Sequence, residues 1–161
     1  MKYIFLFFLI MLNCIFSDSY PVYLTSEQER IIFPQKPEHF TKSIASQIEC
    51  SIYCTNDQEM TYLTVIIPFE KPLSIDQATI ALEGFMSGIL HNQNNQLKSA
   101  DLITVQEMPA LEFNIESQNK HFQGRTIMCA NHLILIAVEY QKEKKQNIRQ
   151  FIESYSYEKS K

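Results

Sequence analysis

The sequence predicts an α+β domain, a mainly antiparallel β-sheet covered by helices in an α-β-α sandwich, and three stretches carry that expectation. Ile48 to Thr55 alternates strictly. Ile48, Cys50, Ile52 and Cys54 take one face and Glu49, Ser51, Tyr53 and Thr55 the other, which is the period of a half-buried strand. Leu133 to Val138 (Leu-Ile-Leu-Ile-Ala-Val) has no polar face, so it has to be covered on both sides. Ile75 to Leu90 repeats Ala78, Leu82, Phe85 and Ile89 at helical spacing, with Ser74 placed to cap it and Asp76 in its first turn. A sheet strand that is apolar on both sides, beside amphipathic helices, implies layers of sheet and helix around one core.

Taken in chain order, Lys2 is followed by the apolar run Tyr3 to Leu12 and then by Ser17-Asp18-Ser19, the pattern of a secretory signal peptide. The expected organisation is a leader over residues 1–19 and a single α+β domain over residues 20–161. A cut before Tyr20 uses Ser17 and Ser19, and a cut before Asp18 uses Ile15 and Ser17. The run is broken at Asn13 and falls short of the roughly twenty apolar residues that a membrane-spanning helix needs. Cys14 closes the run as a lipoprotein cysteine would, but Asn13 and Met11 stand where a small residue and a leucine are wanted. The expected location is therefore secreted or periplasmic.

Next, Ser26 and Glu29 have the spacing of a capping box for a short turn. The alternating strand at Ile48 passes through Thr55-Asn56-Asp57-Gln58 into Met60 to Ile67, which is rich in β-branched residues until Pro68 stops it, so a hairpin is expected. Gly84 and Gly88 lie within the Ile75 helix and suggest close packing on the sheet. Asn92 to Gln96 is a polar tract expected as a surface loop. Leu111, Phe113 and Ile115 alternate with Glu112, Asn114 and Glu116, and a turn over Ser117 to Lys120 leads to a return strand over His121 to Cys129. A tight turn at Asn131-His132 precedes the apolar strand. A closing helix over Asn147 to Ser154 puts Ile148, Phe151 and Ile152 on its apolar side.

Composition excludes several functions. The chain of 161 residues suits one domain with its own core. Its net charge is −4, and −5 from Asp18 onward, which argues against a phosphate-backbone partner. Lys142, Lys144 and Lys145 are diluted by Glu143 and read as a solvated connection. With Gly84, Gly88 and Gly124 as its only glycines, the sequence cannot build a phosphate-cradling loop. Neither nucleic acid nor any cofactor is expected.

Cys50, Cys54 and Cys129 remain once the leader is set aside. On a strand, Cys50 and Cys54 would stand roughly 13 Å apart, beyond the roughly 7 Å that a disulfide tolerates. A bridge from Cys129 to Cys50 or to Cys54 stays open and suits an oxidising compartment; three buried free thiols are the other reading. Zinc held by Cys50, Cys54, Cys129 and His132 has suitable ligand types, but Cys-x3-Cys on an extended strand splays the pair too far, so no metal site is expected. His39, His91, His121 and His132 lie near predicted turns. A catalytic Cys129/His132 pair would need an orienting group and an oxyanion hole, and the sequence displays neither. No catalytic residue is assigned.

The order of elements resembles a known family. Ile-Phe-Pro-x-Lys-Pro at Ile32 to Pro37, a hairpin, a mid-chain helix, a meander carrying Gly124-Arg125, an apolar strand and the closing Phe151-Ile152-Glu153-Ser154-Tyr155 are similar to the PsbP-like group over Arg30 to Tyr157. That group comprises exported or lumenal α-β-α domains related to extrinsic proteins of photosystem II. Glycine is missing here at turns where such proteins often have it, and no metal-binding residue carries over. The resemblance implies a non-catalytic accessory domain outside the cytoplasm that contacts another protein or an envelope component. The alternative is a small secreted hydrolase or thiol enzyme using Cys129 and His132.

Overall fold

A computed structural model describes residues 19–25, 28–44, 48–57, 59–91, 95–141 and 145–158. The signal-peptide reading, Cys14 and Ser26 fall outside these residues, apart from Ser19. The chain opens with β1 (Tyr20–Tyr23) and β2 (Glu29–Phe33), then β3 (Glu38–Ile44), β4 (Ile48–Asp57) and β5 (Met60–Pro68). Helix α1 (Ile75–Leu90) follows, and then β6 (Asn95–Val105), β7 (Met108–Ser117), β8 (Lys120–Met128) and β9 (His132–Tyr140). Helix α2 (Lys145–Ile152) and the short β10 (Ser156–Tyr157) close the chain.

The main sheet has seven strands in the order β3-β4-β5-β9-β8-β7-β6, and its strand pairs are antiparallel. Two meanders, one on each side of α1, meet where β5 pairs with β9 from Met60↔Tyr140 to Pro68↔His132. This makes β9 an interior strand. Ile134, Ile136 and Val138 face Ile148, Phe151 and Ile152 of α2, while Leu133 and Ala137 face Ala78, Leu82 and Met86 of α1. The α2 face carries more than a helix. A second sheet, β1-β2-β10, lies there too, and Ile31 and Phe33 of β2 join the same core. The architecture is α+β and mostly antiparallel; helix α1 lies over β6, β7 and β8, and α2 over β8 and β9.

Helix α1 starts where its sequence says. Ser74 Oγ accepts from the Gln77 backbone N–H, and the Ser74 N–H donates to Gln77 Oε1, so the box satisfies two groups that the first turn leaves unpaired. Gly84 and Gly88 do not face the sheet. Both are exposed, and a Cβ added at either would meet nothing within 4 Å. Close packing occurs instead at Gly124 in β8, where a Cβ would stand 2.6 Å from the Ile136 carbonyl oxygen and 2.7 Å from Phe113 Cζ.

Several strands carry weak sequence signals. β1 and β3 are edge strands, and Pro21 is tolerated in β1 because an edge leaves one side without ladder bonds. Asn95 and Gln96, expected in a loop, begin β6, an exposed edge strand whose reversal uses Gln106 and Glu107, both at positive φ (48° and 72°). Glycine or asparagine normally marks such a hairpin turn, and neither is present. The expected turn at Asn131-His132 is shifted by one residue, so Ala130 and Asn131 turn and His132 opens β9. Glu29 is the first residue of β2.

Candidate functional site

β2 alternates inward and outward, with Glu29, Ile31 and Phe33 turned toward the main sheet. Glu29 is the exception in that row, a carboxylate only 3 % exposed beside apolar neighbours. A charge removed from water this far needs partners, and Glu29 has them. Oε1 accepts from His132 Nε2 at 3.0 Å, from the Tyr155 hydroxyl at 3.2 Å and from the Cys129 thiol at 3.6 Å. Oε2 accepts from the Thr25 hydroxyl.

Local structure explains why these side chains meet. Cys129 and His132 flank the two-residue turn Ala130-Asn131, and the Cys129 N–H donates to the His132 carbonyl at 2.9 Å, so the two are cross-strand neighbours on one face. The turn itself is tied down, because its Asn131 and Ala130 carbonyls accept from the N–H groups of Phe69 and Leu73 at 2.8 and 3.1 Å. Tyr155 is fixed from either side. Ser154 Oγ accepts from the Ile32 N–H at 3.0 Å, and Tyr157 pairs with Glu29 in the small sheet. Thr25, Glu29, Cys129 and His132 line a cleft of about 680 Å³ whose walls also include Gln28, Pro68, Phe69 and Met108.

The electrostatics follow from burial and from the shared carboxylate. Burial works to raise the Glu29 pKa, but hydrogen bonds from His132 and Thr25, the His132 charge and the Cys129 thiol outweigh it and hold the carboxyl below its ordinary 4.5. Cys129 moves the other way, with burial first and then the Glu29 charge pushing its thiol up from 9.0 to about 12. Tyr155 is also raised, by burial and then by Cys129 and Glu29. At neutral pH the arrangement is a carboxylate ringed by donors. It can hold a cation; it does not present a thiolate.

The expected site residues scatter otherwise. All three described cysteines are free thiols. Cys129 follows β8, whereas Cys50 and Cys54 lie on β4, with β5 and β9 between those strands, so they stand about 14 Å apart at the usual strand spacing. Cys54 pairs with Leu63 and Leu63 with Ala137, which puts Cys50 and Cys54 on the α1 face and Cys129 on the α2 face. That placement is beyond disulfide reach. Burial is the first cause that raises both Cys50 and Cys54. Among the histidines, His39 stacks on Tyr53 with centroids 4.3 Å apart, His121 stacks on Tyr140 at 5.4 Å, and His91 ends α1. Sequence reasoning missed Glu29, Thr25 and Tyr155. The available signal was Glu29 standing in phase with Ile31 and Phe33 on a row bound for the core.

The described chain superimposes on the solution structure of cyanobacterial PsbP (CyanoP) from Synechocystis sp. PCC 6803 with a TM-score of 0.63 and 11% sequence identity, over 88% of this chain and 94% of that one. The fold is PsbP-like. No family model matches the chain, and no curated protein matches it in sequence. The PsbP-like fold at so low an identity brings no residue roles with it, so the Glu29 cluster stands on its own geometry. No described helix is long and apolar enough to cross a membrane.

Proposed function

We propose that this chain is an exported, non-enzymatic accessory domain that acts outside the cytoplasm by contacting another protein or an envelope component. The observation that carries this reading is the PsbP-like fold over 88% of the chain, taken with the secretory pattern of residues 1–19. The chemistry of the cluster weighs against the alternative, a small secreted hydrolase or thiol enzyme built on Cys129 and His132. A nucleophilic cysteine works as thiolate with a base at its sulfur, but the Cys129 thiol is pushed up to about 12 and donates a hydrogen bond to the Glu29 carboxylate, while His132 is also held by Glu29.

Two measurements test the reading. Native alkylation at neutral pH should label Cys129 far more slowly than an unfolded control, with three thiols labelled once denatured and unreduced; rapid native labelling of Cys129 would revive the enzyme. Cross-linking in intact producing cells, followed by fractionation, should recover the chain outside the cytoplasm joined to a defined partner. Recovery from the cytoplasm would remove the proposal.

A further inference from the structure

We propose that Glu29, Cys129 and His132 bind one divalent transition-metal ion of the zinc class, with a fourth position open to the cleft. Sequence reasoning expected no metal site, because it joined Cys129 and His132 to Cys50 and Cys54. The fold replaces that impossible pair with a carboxylate from a strand 100 residues away.

The geometry suits the ion. Glu29 Oε1, Cys129 Sγ and His132 Nε2 all lie within 4.8 Å of one another, with an oxygen-to-nitrogen edge of 3.0 Å and an oxygen-to-sulfur edge of 3.6 Å. Tetrahedral zinc with ordinary bond lengths separates such donors by about 3.3 to 3.6 Å. The sulfur edge already fits. The nitrogen edge has to open by a few tenths of an ångström, and the sulfur and the imidazole nitrogen already stand within 4.8 Å of each other.

Chemistry selects the class of cation. A thiolate with an imidazole favours zinc and its transition-metal neighbours, whereas magnesium and calcium seek oxygen alone. Charge also balances, since Zn²⁺ with a Glu29 carboxylate and a Cys129 thiolate is neutral, which removes the cost of a buried, uncompensated anion. The carboxylate is already oriented for ligation by the Tyr155 and Thr25 hydroxyls, an outer shell of the kind that tunes metal affinity. The cleft gives the ion its path in and leaves room for a water or a partner's donor atom. On binding, the sulfur–hydrogen bond of Cys129 breaks as the sulfur–metal bond forms. The thiol proton leaves to solvent. The Nε2 proton that His132 shares with Glu29 is given up as well, to solvent from an imidazolium or to Nδ1 by tautomer exchange in a neutral ring, so that the Nε2 lone pair meets the ion.

The test is a titration of the reduced full chain with Zn²⁺ and with Co²⁺ as a spectroscopic probe. One equivalent should bind, with a thiolate-to-cobalt charge-transfer band and release of about one proton or more per ion. Over an incubation long enough to label Cys129 in the folded, metal-free chain, Zn²⁺ should slow that labelling further and leave the labelling of Cys50 and Cys54 unchanged, and Mg²⁺ and Ca²⁺ should not slow it. Cys129→Ser should abolish the band, His132→Ala should weaken Zn²⁺ binding at least tenfold, and Tyr155→Phe should weaken it by about tenfold. Failure of the unsubstituted chain to take up Zn²⁺, or of Zn²⁺ to protect Cys129, would overturn the site whether or not the variants fold. A band that survives in Cys129→Ser, or that is lost in Cys54→Ser, would overturn it as well.

Discussion

On one face of the seven-stranded sheet a single run of sixteen residues, α1, supplies Ala78, Leu82 and Met86 and seals a core without a buried ion pair among the described residues. On the other face β2, α2 and β10 share the task, and partners as far apart as Glu29 and Tyr155, 126 residues, meet in a polar seam. The first face is local and apolar, so burial alone holds it together. The second is assembled from the two ends of the chain, and its hydrogen-bonded carboxylate fixes where those ends sit, since a misdocked β2 would leave a charge buried without partners.

The hardest blow to that comparison falls on β9, which serves both faces. Ile136 is fully buried on the α2 side, so Ile136→Asp should cost more than about 4 kcal/mol or abolish folding, as an unpaired charge is driven into the core. Urea melts against the parent measure it, and a parent-like midpoint would end the account of β9.

Glu29→Gln tests the seam alone. Removing the charge from four converging donors should cost about 3 kcal/mol, a typical loss for breaking a buried charged network. The same variant should change the acid limb. Because the folded carboxyl is held below 4.5, its contribution is present above that value and is lost as pH falls through the lower folded value. Stability of the metal-free parent should therefore drop more steeply below pH 4.5 than that of Glu29→Gln, and parallel curves would mean that the seam is not ionised.

Gly124→Ala probes how tightly the sheet packs under α1. A methyl group 2.6 Å from the Ile136 carbonyl oxygen and 3.0 Å from Ala137 Cβ has no room, and a cost of about 1 to 3 kcal/mol is expected from overpacking. The smallest effect has the opposite sign. Gly84→Ala and Gly88→Ala meet open space on the solvent side of α1, so each should stabilise by about 0.5 to 1 kcal/mol through helix propensity. Thermal melts rank all three glycine variants in one series, and a destabilising Gly84→Ala would mean that α1 presents a different face to the sheet.

Much of the α1 face was legible. Ser74, Asp76 and the spacing of Ala78 and Leu82 announce the helix, the alternation of Leu111, Phe113 and Ile115 announces β7, and the two-faced Leu133 to Val138 announces an interior strand. β3 and β6 stayed hidden because exposed edge strands need no apolar row, and the Gln106-Glu107 turn lacks the residues that advertise its backbone. In Asn114 the alternation misled. Its position looks solvated, yet Oδ1 is buried without a hydrogen-bond partner among the described residues.

The sequence by itself determined what short-range periodicity and capping can encode: the two helices, the five interior strands of the large sheet, and a tight turn close to Asn131. Only the tertiary structure decided which face Glu29 reached. Strand alternation says that Glu29 shares a side with Ile31 and Phe33, but no local rule says that this side meets the end of β8 and the residue before β10. Convergence of that kind depends on sheet order and on the docking of chain ends, long-range contacts whose cost and reward are settled by the whole core. The meeting of the carboxylate with Cys129, His132 and Tyr155 is therefore a property of the fold.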